Sequence, residues 1–326
     1  MKLYSRILLL AVFGIAMVAC SGDDEEDTRQ PSPTPSFRPL TIEVSENPLV
    51  DAEAASRETR AAITTKETLK EFYLDYAYGS VISSSSTKVT QDNQGQWSGG
   101  FWPADDDDKE VTWYAHTNDG SIAGTAADPY LNFAVEETSS YQKDLLVATA
   151  SDTWGRCGGN LKFTFNHVCS ALRFYVKKAT NLDAYTLQVS SIKLYKVVSN
   201  AQYHFASSSW TLGSTTSDYT LYSVSSPGTE LGSAETDWTL INQNEDDYLF
   251  MIPQTVTAWK SGKATESSDS YLEIAYTLSQ NDTPVSTGTA YIPFAGTFEQ
   301  DKIHDVKINI GKKSLLNSNG EQIVNN

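Results

Sequence analysis

Short runs in which apolar and polar residues alternate make up most of this chain, and this alternation restricts its fold more than any other feature. Period-two alternation places apolar side chains on one face of an extended strand. The runs are rich in Tyr, Phe, Val, Ile and Thr, and clusters of Gly, Asn, Asp and Ser separate them, which is typical of strands joined by turns. We therefore predict an all-β protein of the sandwich type. The predicted strands are Leu40–Val44 and the runs EFYLDYAY, VTWYAH, YLNFAV, DLLVATA, LKFTFNHV, ALRFYVKKA, SSIKLYKV, AQYHFA, YLFMIPQT, YLEIAYTL, TAYIPF and HDVKINI.

One helical segment is also expected. Thr64 and Glu67 have the spacing of a capping box ahead of the sequence TLKEF. Because the alternating run EFYLDYAY follows at once, we predict no more than one or two helical turns.

The chain length and a change in alternation predict two domains. A chain of 326 residues corresponds to about two domains of ordinary size. The apolar positions change parity at Ser170–Ala171, which predicts a bulge or tight turn. The glycine-rich sequence WGRCGGN lies just before this break. We predict an N-terminal β-sandwich over residues 38–158 and a C-terminal β-sandwich over residues 159–326.

The first residues read as an export signal. Lys2 and Arg6 precede an apolar stretch that is too short to span a bilayer and that ends at Cys20. This arrangement resembles a lipoprotein signal peptide over residues 1–19, cleaved before Cys20, whose sulfur then carries lipid. The alternative is a plain secretory signal with an incidental cysteine. Residues 20–37 are acidic and rich in Pro, Ser and Thr, and they predict a solvated tether.

The charge of the chain excludes some partners. The formal net charge is −17, and a surface of that sign repels phosphate backbones, so nucleic acid is not expected as a partner. We expect an exported protein that touches the membrane through its lipid.

The sequence offers little that suggests catalysis. It has four histidines, and none shows metal-ligand spacing or belongs to a nucleophile or phosphate-binding motif. We expect no enzyme activity, no cofactor and no metal. His167 shares a predicted strand face with Phe163 and is expected to be a core histidine bonded to backbone. Asp105–Asp108 is expected to be a solvated loop, with a calcium site as the alternative.

The cysteines that remain in the mature chain leave two alternatives open. An exported protein can form disulfides, and a bridge between Cys157 and Cys169 would close a short loop. Alternatively, Cys169 is a small core residue and Cys157 is a free turn residue.

Aromatic residues are concentrated between residues 97 and 114. Exposed Trp97, Trp102 or Trp113 could stack on sugar rings, which gives the alternative function of a surface glycan-binding lipoprotein. Such residues more often fill a core.

Several motifs in succession resemble one protein family. They are RAAIT at 60–64, WSGGFWPADDDDKEVTWYAH at 97–116, KDLLVATA at 143–150, LKFTFNHVCSALRFYV at 161–176, VSSIKLYKV at 189–197, LFMIPQT at 249–255 and GTFEQDKIHDVKINI at 296–310. Their order, after the acidic lipoprotein-like start, resembles the fimbrillin-like surface lipoproteins, which are related to type V pilus subunits. This resemblance implies two tandem transthyretin-like β-sandwiches.

The resemblance also implies a route of assembly. An Arg-specific protease would cut after an arginine between the first two strands, the first strand would leave, and a strand of a neighbouring subunit would fill the groove. In this chain RPLTIEVS at 38–45 would be the removable strand. The bond between Arg60 and Ala61 is the preferred cut site, Arg57 is the alternative, and a linker that is never cut remains open.

The implied partners are other pilus subunits, the outer membrane and a host protein or glycan receptor. The tail of the chain carries Leu315, Leu316, Ile323 and Val324 as residues that could fill a neighbour's groove. Because its alternation is weak, the chain could be a structural subunit that donates a strand, or a subunit that caps or anchors the pilus.

Overall fold

The computed structural model describes residues 38–52, 69–138, 141–242 and 248–324. The segments with alternating apolar and polar residues form β-strands in it. The strands before residue 168 are β1 (Thr41–Glu46), β2 (Val50–Asp51), β3 (Glu71–Tyr78), β4 (Val81–Ile82), β5 (Thr87–Gln91), β6 (Trp97–Ser98), β7 (Val111–His116), β8 (Ala123–Gly124), β9 (Pro129–Ala134), β10 (Leu146–Asp152) and β11 (Asn160–His167). The all-β prediction is confirmed.

The later strands complete the fold. They are β12 (Ser170–Lys178), β13 (Thr186–Val198), β14 (Asn200–His204), β15 (Ser209–Leu212), β16 (Thr216–Ser223), β17 (Thr229–Glu230), β18 (Thr239–Leu240), β19 (Leu249–Met251), β20 (Gln254–Val256), β21 (Tyr271–Gln280), β22 (Thr283–Pro293), β23 (Gly296–Phe298) and β24 (Lys302–Ile310). The helical elements with described bounds are one turn, α1 (Trp154–Cys157), and two 3₁₀ turns, Thr180–Leu182 and Ala264–Glu266. The segment around Thr64 and Glu67, where we predict a short helix, lies outside the described residues.

The first sheet has the strand order β1-β11-β10-β7-β3-β5-β6, with β4 paired to β3. Its buried face carries the first hydrophobic core, which includes Phe72, Trp113 and Phe163. Strand β11 shows strict alternation, with Leu161, Phe163, Phe165 and His167 buried and the residues between them exposed. This is the shared face that the sequence predicts.

Two further sheets enclose the second core. One has the order β18-β12-β24-β2, with β19 paired to β12, and the other has the order β16-β13-β21-β22, with β17 paired to β13. Their facing side chains, such as Phe174, Leu194 and Ile274, are fully buried together. Strands β20 and β23 form a separate two-stranded sheet.

The predicted domain boundary near residue 158 is wrong. Strand β11 pairs with β10 and with β1, so the first sheet extends to His167. The turn WGRCGGN, which contains α1, connects β10 to β11, two neighbouring strands of one sheet. The strand break predicted at Ser170–Ala171 lies slightly earlier, at Val168–Cys169, since β11 ends at His167 and β12 begins at Ser170.

A fourth sheet joins the two halves of the chain. Its order is β15-β14-β9-β8, and β9 of the first half pairs with β14 of the second over Pro129–Ala134 and Asn200–His204. A third core lies beside it and draws on both halves, with Leu131 and Tyr114 from one and Tyr203 and Ile303 from the other.

Candidate functional site at edge strand β1

Strand β1 is the terminal strand of the first sheet and the candidate functional site. It runs parallel to β11 in continuous register, from Thr41 opposite Asn160 to Glu46 opposite Phe165. Leu40 and Ile42 are buried and Val44 packs against the first core, while Thr41, Glu43 and Ser45 are exposed. One face of β1 therefore completes the core, and the other faces solvent.

The surface beneath β1, which we call the β1 groove, is apolar. Leu161, Phe163 and Phe165 of β11 form its floor on the same sheet face as Ile42 and Val44. The ring of Phe165 lies 5.2 Å from that of Phe72, and the ring of Phe163 lies 6.0 Å from it, so the floor is continuous with the core.

Gly100 sets the width of the groove beside Leu40. Its φ of +80° lies in the left-handed region. A Cβ there would lie 3.1 Å from Leu40 Cδ1 and 3.2 Å from Leu74 Cδ2. Only glycine combines that backbone conformation with room for the strand.

Arg38 holds the beginning of the strand. Its guanidinium pairs with the Asp107 carboxylate, donates to the Ala104 carbonyl and lies 4.5 Å from the centre of the Trp154 ring. The backbone N–H of Trp102 donates to the Arg38 carbonyl at 2.8 Å. Asp105–Asp108 is exposed, as predicted, and Asp107 has this specific partner.

Glu46 holds the end of the strand. Its Oε1 lies 3.2 Å from Nε2 of His167, which is fully buried. This is an ion-pair distance without hydrogen-bond geometry, and His167 Nε2 has no hydrogen-bond partner among the described residues. The other ring nitrogen, Nδ1, bonds to the buried Asp144 carboxylate. His167 is a core histidine as predicted, but the predicted backbone partner is wrong, because the partners are carboxylates.

The charges around His167 keep it protonated. Burial alone would lower the pKa of His167, but the hydrogen bond to Asp144 and the contact with Glu46 outweigh it and raise the pKa to about 9. Burial raises the pKa of Asp144 and the pKa of Asp301. Both carboxyl groups also interact electrostatically with His167. The Cys169 thiol is the remaining group, and its pKa is raised well above the ordinary value by burial.

This arrangement predicts a loss of stability at alkaline pH. The pKa of His167 is higher in the folded state than the ordinary value of 6.5, so its contribution is complete below pH 6.5 and is lost as pH rises through about 9. At about 1.4 kcal/mol per pKa unit, the free energy of unfolding should fall by at most about 3 kcal/mol over this pH range. Urea unfolding between pH 6 and pH 10 measures it, and His167→Gln should flatten the profile. His204→Gln is the control, because its Asp128 partner is exposed. Equal slopes for the natural chain and His167→Gln would contradict the assignment.

A second buried histidine belongs to a closed network. His116 Nε2 lies 2.8 Å from Asp75 Oδ2, and its Nδ1 lies 2.8 Å from the Asn118 carbonyl. Ser83 and Ser86 donate to the same Asp75 carboxylate. Both ring nitrogens are engaged, and the network holds β3 to β7. Within the described residues, no group of three or more His, Cys, Asp or Glu side chains could hold a metal ion.

The tryptophans proposed as a sugar platform lie in the first core. Trp102 and Trp113 are 4% and 2% exposed, with ring centres 6.0 Å apart. Trp97 is half-buried and packs on Phe72. Buried rings cannot stack on a sugar, so the interpretation of Trp102 and Trp113 as a glycan platform is wrong.

Cys157 and Cys169 are free thiols. They flank the two ends of β11, an eight-residue strand about 26 Å long, whereas a disulfide needs Cα atoms about 4–7 Å apart. The disulfide expectation is wrong and the alternative holds, with Cys169 fully buried and Cys157 half-buried at the end of α1.

The tail packs on its own chain. Leu315 and Val324 are buried in the second core, and Ile323 packs against it. Leu316 pairs with Tyr291 and Gln322. Three of the four residues considered for filling a neighbour's groove, Leu315, Ile323 and Val324, therefore pack in or against this chain's own second core.

Sequence reasoning missed the charged ends of the site. Arg38 and Glu46 have the same parity as Leu40, Ile42 and Val44, which is a signal that the sequence does contain. Asp144 and His167 are far apart in sequence, and only the fold brings them together.

Cys20, Arg57, Arg60 and Ala61 lie outside the described residues, and their roles stay predictions. No helix among the described residues has the length and apolar character needed to cross a membrane.

Comparison with known protein families gives one match. The sequence model of a family described as fimbrillin-like matches residues 58–323. A fimbrial protein from Bacteroides vulgatus is similar in structure, with 17% identity, a TM-score of 0.51 and coverage of 83% of this chain and 95% of that chain. A candidate cell adhesion protein from Parabacteroides distasonis gives 9% identity, a TM-score of 0.49 and coverage of 87% and 91%. At such identities the first likeness concerns the fold alone. No curated protein matches the sequence.

Proposed function

This chain belongs to the fimbrillin-like family, and on that basis we propose that it is a subunit of a type V pilus, either a structural subunit or an accessory or tip adhesin. Its partners would be other pilus subunits and, at an exposed position, a host protein or glycan receptor. The fimbrial protein from Bacteroides vulgatus, which has a similar fold, supports this proposal.

The proposed route begins with export as a lipoprotein. Residues 1–19 would be removed and Cys20 would carry the lipid that holds the precursor at the outer membrane. Two or more acyl chains give stable anchoring, which a single chain does not. An Arg-specific protease would then cut the Arg60–Ala61 bond, or the bond after Arg57, and release the segment that contains β1.

The observation that carries the proposal is the position of β1. A terminal strand can leave without breaking the sheet behind it, and its departure uncovers the backbone groups of β11 together with an apolar groove. An incoming strand restores the hydrogen bonds and the alternating side chains. Head-to-tail filling of this kind does not close, so it builds a fibre.

The released segment would also leave the second half of the chain. After β1, Leu49 is buried, and β2 pairs in parallel with the beginning of β24, Val50 opposite Lys302. Ala52 N–H then donates to the Ile303 carbonyl. One continuous segment, residues 38–52, thus pairs with both halves, so a replacement strand has a path along both.

The test is strand exchange after cleavage. We expect an Arg-specific protease to cut the purified chain after Arg60 or Arg57, and the released segment to exchange for a labelled peptide of residues 38–47. Native mass spectrometry measures both steps. Fibres at high concentration would indicate a structural subunit, and exchange without fibres would indicate a cap or anchor.

The matched control keeps the charge of the cut sites. Arg57→Lys with Arg60→Lys removes the arginines that the protease recognises and leaves β1 unchanged. That variant should neither be cut nor exchange. A natural chain that resists cutting, or that is cut without any exchange, would contradict the proposal.

A further inference from the structure

We propose that the β1 groove selects its strand by charge as well as by shape: the strand must present a basic residue, three alternate apolar residues and an acidic residue on one face, and must run parallel to β11. This inference rests on the proposed strand exchange and names the partner of that same site. The pattern is the one that β1 itself carries at Arg38, Leu40, Ile42, Val44 and Glu46.

All five of these positions face the same side. Residues two apart on a strand point the same way, and the burial of β1 follows that period, with the side chains between them exposed. The inward face is thus apolar in the middle and charged at both ends. The outward face, which includes Glu43, is exposed, so the groove does not select the charge of a replacement strand there.

The first end of the groove selects a cation. The acidic loop holds the Asp107 carboxylate, which is 60% exposed and pairs with Arg38. The Ala104 carbonyl accepts from the same guanidinium, and the Trp154 ring lies beneath it. A carboxylate, a carbonyl and an aromatic face all favour a positive group. A strand with an acidic residue here would meet Asp107 with like charge.

The other end selects an anion. His167 is 0% exposed, its Nδ1 is occupied by Asp144, and its Nε2 points toward Glu46 without another partner among the described residues. When β1 leaves, Nε2 loses the Glu46 carboxylate, which lies 3.2 Å from it. Removing one partner of a buried charge pair is costly, so a strand that returns a carboxylate to this place is favoured over one that does not.

The two ends together set direction and register. A strand inserted antiparallel to β11 would bring its acidic residue to Asp107 and its basic residue to His167. Both contacts would then be repulsive, and a repulsive contact is an effective way to reject a wrong arrangement. A slip of one residue would turn the charged and apolar side chains to solvent.

The occupant is a strand of a different subunit. This chain's own tail has Lys313, Leu315 and Glu321 at matching spacing, but Asn317 and Asn319 stand where the groove needs apolar side chains. Leu315 is moreover buried in the second core of its own chain. A second copy of this chain therefore does not supply the strand through its tail.

The experiment uses the full chain with a recognition site for an unrelated sequence-specific protease placed within residues 53–60, so that cutting does not depend on arginine. After cutting, fluorescence anisotropy measures exchange of labelled peptides of residues 38–47. We expect Glu46→Gln to weaken binding by about tenfold or more, and the double swap Arg38→Glu with Glu46→Arg to weaken it further. Glu43→Gln, on the outward face, should change binding less than about twofold. A peptide of residues 312–324 should not bind.

A reciprocal change in the chain avoids dependence on buried residues. Asp107→Lys lies in an exposed loop and should restore binding of the Arg38→Glu peptide. If the natural peptide does not exchange, strand exchange itself is overturned. If the natural, Glu46→Gln and swapped peptides bind within twofold of one another, the charge selection is overturned while strand exchange stands.

Discussion

A chain that carries Ser45→Cys and Thr164→Cys is expected to be cut by the Arg-specific protease and yet to exchange no strand until a reductant is added. Ser45 lies opposite Thr164 in the β1–β11 register, and their hydroxyl oxygens are 3.0 Å apart. Neighbouring strands lie about 4.8 Å apart, within the Cα range of a disulfide. The bridge would tie β1 to β11 covalently, so cleavage alone would not open the groove.

The effect should be all-or-none. Native mass spectrometry of the oxidised, cut chain should show the β1 segment retained, and reduction should restore exchange at the natural rate. Each single cysteine variant is a control, in a Cys157→Ala background because Cys157 is half-buried. Exchange at the natural rate in the oxidised double variant would show that the strand enters elsewhere, and the role of β1 would be lost.

The second large effect is expected from Phe163→Ala. Phe163 is 0% exposed and lies in the floor of the β1 groove opposite Val44. Removing a buried phenylalanine ring costs about 3–5 kcal/mol, because transfer and cavity terms add. The same cavity lies under any strand that fills the groove, so strand affinity should also fall.

Urea unfolding of the uncut chain gives the first quantity, and peptide exchange of the cut chain gives the second. Lys162→Ala is the matched control, because the neighbouring side chain of β11 is exposed. It should shift neither measurement by more than about 0.5 kcal/mol. A Phe163→Ala chain that loses stability but binds the natural strand normally would place the strand away from this floor.

The sequence predicts the long strands well, because their burial follows their own alternation. Each quoted run overlaps a strand, and YLFMIPQT divides into β19 and β20. Alternation does not predict strand β16. Of its eight residues only Tyr219 is buried, so its pairing with β13 holds it in place rather than a local pattern.

The candidate site is only half visible in the sequence. Strand β1 and its apolar middle follow from the alternation of Leu40, Ile42 and Val44. The pairing of Glu46 with His167 does not, because a residue's partner across the fold is not a local property of the sequence. The domain boundary fails for a related reason: glycines in WGRCGGN mark a turn but do not say whether the strands on either side belong to one sheet.

The ladder between β9 and β14 has a mechanical consequence. Two domains joined by a flexible linker bend at the linker, but here a shared sheet and the core around Leu131 and Tyr203 cross the division. Each subunit would therefore behave as one stiff link. In a filament of such subunits, bending would be concentrated where the strand of one subunit enters the next. The flexibility of the filament would then depend on this contact between subunits.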